Sequence, residues 1–185
     1  MLTSPWKRYL EAAGNIAAIL GPSSGKPIED EVGRVNTRPL GYIYGFADAA
    51  LRVRKLEITS EYGQLLLAQS FETFWPSNGE KYVETLMSSM SSQRHDIMST
   101  MMLGRSDYIA VLNEDKVPSG LILCVLAAEN NNGELEKLQA MEEKLWKDDS
   151  AFVIHVRRRS YKRHEARVIN RLDLIVNTVK SERGW

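Results

Sequence analysis

Apolar and polar positions along the chain recur with a period close to that of an α-helix. Trp6, Leu10, Ala13, Ala17 and Leu20 fall at helical spacing between a Ser4-Pro5 start and a Gly21-Pro22 stop. The spacing and the caps predict a helix over 4–20 with a small-residue face suited to close packing. The stretch from Pro39, "LGYIYGFADAALRVRKLEI", predicts a second helix. Gly41, Gly45 and Ala49 are spaced by four within it, and Asp48 and Arg52 interrupt the apolar run. That pattern points to a tight helix–helix crossing rather than a membrane dimer face. Thr59 or Ser60 caps "EYGQLLLAQSFETFW", which "PSNG" at 76–79 breaks. Val83, Leu86, Met87, Met90, Ile97, Met98 and Met101 then predict one long helix over 80–103, with Gly104 as its stop.

The second half is less uniform. Residues 105–128 hold two strand-length apolar runs separated by Asp115–Val117, readable as two short helices or as a β-hairpin. The helical neighbours favour helices. "ENNNG" at 129–133 is a loop, and 134–147 is a charged amphipathic helix with Leu135, Leu138, Met141 and Leu145 on one side. "AFVIHV" at 151–156 opens the last helix or forms a short strand. From Tyr161 the stripe Val168, Leu172, Ile175, Val176 and Val179 is helical. These elements predict a single all-α domain over 1–185, of about six helices. A Gly/Pro/Ser-rich linker spans 21–39, and a basic C-terminal segment spans 155–171. The alternative is an α+β domain with a small sheet from 108–113, 121–126 and 151–156.

Composition adds exclusions rather than a function. A chain of 185 residues with 43% apolar and 26% charged residues is an ordinary globular one. Lys plus Arg equals Asp plus Glu at 24 each, so no global field selects nucleic acid or anionic membrane. The longest apolar run, 121–128, is far below the roughly 20 residues of a spanning helix, and the N-terminus lacks a secretory pattern. The expectation is a soluble cytoplasmic protein without a membrane span. The charge is uneven, however. Residues 134–149 carry six acids against three lysines, whereas 150–185 carry nine Lys/Arg against three acids.

The motifs that look like chemistry fail on inspection. "GPSSGKP" at 21–27 superficially resembles the phosphate loop of P-loop NTPases. Gly21 to Gly25 encloses one residue too few, Pro27 stands where the magnesium-binding hydroxyl belongs, and a helix precedes it where a buried strand is needed. His95, His155 and His164 lack metal-ligand spacing. "RHEAR" at 163–167 lacks the second histidine of a zincin, and Cys124, the only cysteine, lies in an apolar run. The residues nominate no catalytic group, cofactor site or metal site, which favours a non-catalytic role.

Two surfaces suggest function instead. Met87, Met90, Met98 and Met101 share one face of the predicted 80–103 helix. Flexible thioethers of this kind fill a loose core or line a groove for a partner helix. Arg157, Arg158, Arg159, Lys162, Arg163, Arg167 and Arg171, with Tyr161 among them, form a basic stripe. Such a stripe contacts nucleic-acid phosphates, or is a solvated face neutralised by the acidic helix at 134–149. The expectation is a helical protein–protein interaction module or regulator, working with a protein partner or by self-association. The alternative is a nucleic-acid-binding protein using 157–171.

Overall fold

A computed structural model describes residues 4–21, 28–29, 33–76, 79–92, 95–127, 132–147 and 161–182. Among them are eight helices and no strand: α1 (Pro5–Leu20), α2 (Thr37–Val53), α3 (Glu61–Phe74), α4 (Gly79–Ser91), α5 (His95–Glu114), α6 (Gly120–Leu126), α7 (Asn132–Lys147) and α8 (Tyr161–Glu182). The all-α class is the observed one, with eight helices among the described residues where about six were expected, and 105–114 continues α5 instead of forming a short helix of its own. Of the segments considered for a sheet, 108–113 lies within α5 and 121–126 within α6; 151–156 is outside the described residues.

The centre of the fold is α2, and its sequence explains why. Every residue from Pro39 to Leu51 is buried, so the helix is surrounded rather than laid on a surface, as an all-round apolar helix must be. It touches α1, α3, α4, α5 and α6. Its start lies two residues before Pro39, because Asn36 caps it by accepting from the Arg38 N–H at 3.2 Å.

Against α5 the backbones themselves meet. A Cβ at Gly45 would overlap the Met101 carbonyl, and one at Gly104 the Tyr42 carbonyl; at Gly41 it would lie 2.6 Å from Thr100 Oγ1. Gly104 is therefore not a helix stop. It sits within α5 because only glycine lets α2 approach this closely. Farther along, Asp48 bonds Arg105 and Arg54 bonds Tyr108. Partner numbers rise together along both helices, so α2 and α5 run parallel, and α3 and α4 form the crossover between them.

The predicted single helix over 80–103 is two. Its methionine period runs on through "MSSMSSQ", but α4 ends at Ser91 and α5 begins at His95. Ser91 Oγ donates to the Ser88 carbonyl at 2.7 Å, and Ser92 Oγ to the carbonyls of Ser88 and Ser89 at 3.2 and 3.0 Å. The Ser88 carbonyl also accepts from the Ser92 N–H at 3.3 Å, so backbone and hydroxyl bonds share the last turn of α4. At the other end of α5, Asp115 adopts a left-handed φ of 50° that terminates the helix.

Part of the 21–39 linker is tied to the domain. Glu29 and Val35 form an antiparallel bridge, and buried Ile28 joins the core. Glu29 Oε1 accepts from Tyr82 and Lys81 of α4 at 2.8 and 3.2 Å.

Candidate interaction surfaces and buried polar sites

The methionine residues do not form one face. Met87 and Met90 are on α4, Met98 and Met101 on α5. Met87, Met90 and Met101 are partly buried against the core, and Met98 alone is 40% exposed. The break at the end of α4 separates the two pairs that a continuous helix would have aligned.

Of the basic stripe, Arg157, Arg158 and Arg159 lie outside the described residues. Lys162, Arg163, Arg167 and Arg171 are exposed on α8, and Tyr161 is half-buried. Three of these cations have partners among the described residues, and these are Glu11 and Asp115. Lys162 pairs with Glu11 of α1 at 2.6 Å. Arg167 reaches Asp115 Oδ2 at 3.0 Å, and Arg171 donates to the Asp115 carbonyl at 2.7 Å. His164 Nδ1 lies 2.6 Å from Asp115 Oδ1, and this bond and Arg167 hold the Asp115 carboxyl below its ordinary range. The α7 acid nearest the interior, Glu142, is buried and faces Arg38 at 3.5 Å; burial pushes its carboxyl up.

A further surface, of which periodicity showed only the α1 half, lies on α1 and α3. Trp6 and Leu10, four apart on α1, are 36% and 40% exposed; Tyr62 and Leu65, three apart on α3, are 44% and 50% exposed. The Trp6 and Tyr62 ring centroids are 5.6 Å apart, so the apolar surface runs across both helices. Tyr9 fixes this platform: its ring is 5.8 Å from Tyr62, and its hydroxyl is 2.8 Å from Ser60 Oγ, the residue that caps α3. The buried side of α1 is Tyr9, Ala12, Ala13, Ile16, Ile19 and Leu20. Trp6 and Leu10 stand beside that stripe rather than in it. The signal was present as an apolar arc wider than one core-facing side needs.

The interior holds two polar clusters. Around α6, Asp107 Oδ2 accepts from the Tyr42 hydroxyl at 2.6 Å and from the Gly120 N–H at 3.0 Å. Burial raises the carboxyl of Asp107, and burial together with Asp107 raises the Tyr42 phenol. Cys124, fully buried nearby, has its thiol pushed up by burial and then by Glu142. A thiol held protonated is a poor nucleophile. At α8, buried Glu165 receives Arg54 Nη2 at 2.5 Å and Asn15 Nδ2 at 2.9 Å on one oxygen, and the Tyr108 hydroxyl at 2.7 Å on the other. Among the described residues, no group of three His, Cys, Asp or Glu side chains is arranged to hold a metal ion. Nor is any helix long and apolar enough to cross a membrane.

No protein-family model, curated protein or solved structure matches the chain.

Proposed function

We propose that the chain is a non-catalytic helical interaction module that pairs with a second copy of itself through Trp6, Leu10, Tyr62 and Leu65. The observation that carries this reading is the continuity of four large, exposed apolar side chains across two helices fixed by Tyr9. Two further features suit a copy of the same chain. Lys7 and Glu61, exposed beside Trp6 and Tyr62, give the patch a rim of both signs. A two-fold pairing can set one against the other across the interface. The chain also has zero formal net charge, so copies do not repel. Four partly exposed side chains fall well short of the roughly 800 Å² per partner of a standard interface. The expected dimer is therefore weak, micromolar or looser.

Sedimentation velocity from micromolar to hundreds of micromolar protein tests this. The expectation is a concentration-dependent dimer that Trp6→Glu with Leu65→Glu abolishes while leaving the helical signal intact. A parent that stays monomeric throughout the range overturns it.

The second reading, nucleic-acid binding by α8, is supported by the exposure of Lys162, Arg163, Arg167 and Arg171. It ranks lower because Glu11 and Asp115 already occupy three of these cations. Titration with mixed DNA and RNA across a salt series separates the two. Phosphate binding gives an affinity that falls steeply with salt, by roughly 0.9 log units per log unit for each duplex contact. The self-association reading predicts no measurable affinity near physiological salt.

A further inference from the structure

The contacts of Glu165 differ from those of an ordinary buried ion pair. Three donors converge on one carboxylate from three separate helices or their ends: Asn15 from α1, Arg54 from the end of α2, and Tyr108 from α5. The acceptor arrives from a fourth element, α8, and its side chain is only 1% exposed. Arg54 and Tyr108 are also held by bonds that do not involve it. Arg54 Nη1 donates to the Ala50 carbonyl at 2.8 Å and to the Tyr108 hydroxyl at 3.1 Å, and Arg8 donates to the Arg54 carbonyl. The guanidinium carbon lies 4.6 Å from the centroid of the Tyr161 ring, which stacks on it from α8.

Arg54 also has capacity that Glu165 does not use. Its Nε is buried and has no hydrogen-bond partner among the described residues. In a planar guanidinium the Nε–H and one Nη2–H point along the same edge, the edge that grips a carboxylate with two parallel bonds. Here only Nη2 is engaged.

We infer that Asn15, Arg54 and Tyr108 form a carboxylate-binding cradle in which Glu165 is an internal ligand, so that α8 covers a site able to take a carboxylate from outside the chain. The ligand class follows from the donor set: one cation and two neutral donors, arranged around both oxygens of a single anionic group. In a chain working as an interaction module, such a site accepts an acidic side chain of a partner once α8 lifts.

Removing the internal ligand tests this directly. Glu165→Ala in the full chain leaves a gap the size of acetate, and acetate is the probe. At neutral pH and matched ionic strength, acetate is expected to raise the Tm of Glu165→Ala over chloride, saturably. The rise should be about 3–6 °C at ten times its dissociation constant. Neutral acetamide is expected to give no such rise, and adding Arg54→Met is expected to abolish it. If Glu165→Ala is unfolded in chloride, acetate is expected to restore its helical signal. Equal behaviour in acetate, acetamide and chloride overturns the inference, as does an acetate effect that survives Arg54→Met. A second variant, Glu165→Gln, keeps the shape and removes the charge. Amides of α8 are expected to exchange at least tenfold faster in it, those of α2 and α5 unchanged; exchange at the parent rate in α8 contradicts an anionic ligand.

Discussion

Two helix contacts in this molecule are built on opposite principles. Where α2 crosses α5, glycines at 41, 45 and 104 bring backbone against backbone, and every residue from Pro39 to Leu51 is buried. Where α8 docks on α1 and α5, Val168 and Leu172 are buried and Tyr161 and Ile169 pack against the core, beside a set of polar and ionic contacts: Glu165 in its cradle, His164, Arg167 and Arg171 on Asp115, Lys162 on Glu11. The first contact has no alternative arrangement, because close-packed main chains admit no side-chain adjustment. The second sets polar and ionic contacts beside a narrower apolar stripe, and a buried ion pair is weak evidence of stability because its desolvation offsets its attraction. The contrast sets a backbone-to-backbone crossing at the centre against a terminal helix whose contact is centred on one buried carboxylate.

The comparison can be broken in order of expected effect. Gly45→Val forces a side chain into the Met101 carbonyl. It is expected to cost more than about 5 kcal/mol, or to prevent folding outright, as read by chemical denaturation. Arg54→Met strands the Glu165 carboxylate in the interior and is expected to cost about 3–5 kcal/mol. Adding Glu165→Leu should recover a large part of that loss, because an apolar pair replaces the buried charges. Leu172→Ala is expected to cost about 2–3 kcal/mol, since the side chain is buried but near the edge of the core. Lys162→Ala removes an exposed pair with Glu11 and should shift stability by less than about 1 kcal/mol. If Lys162→Ala proves as costly as Arg54→Met, surface charges hold α8 and the cradle does not.

The helical class, the tight crossing at Gly41 and Gly45, and the burial of Val168 and Leu172 were legible, because each follows from a spacing that repeats along one helix. Ile175, Val176 and Val179 of that stripe have side chains outside the described set. The break between α4 and α5 was hidden, because the methionine period stays intact on both sides of it. Gly104 read as a stop because nothing local says that a second helix passes over it. The basic stripe was legible as composition, but its partners were not. Glu11 is 151 positions from Lys162, and Asp115 follows Glu114 just past the end of α5, where nothing local links it to the stripe. Glu165 looked like one acid among arginines, and only the fold brings Asn15, Arg54 and Tyr108 around it. The candidate interaction surface was half visible, since Trp6 and Leu10 are spaced as a stripe whose exposure depends on where Tyr9 and Ile16 point.

Native-state hydrogen exchange of the parent chain, followed with increasing denaturant, tests the distinction between the two contacts most directly. Amides in the middle of α2 and α5 are expected to exchange only through global unfolding, with its full denaturant dependence. Amides in the first turns of α8 are expected to exchange through a smaller opening, with a lower free energy and a weaker denaturant dependence. Coincident opening energies and slopes for α8, α2 and α5 would show one indivisible unit, and would contradict the account of α8 as a separately docked element.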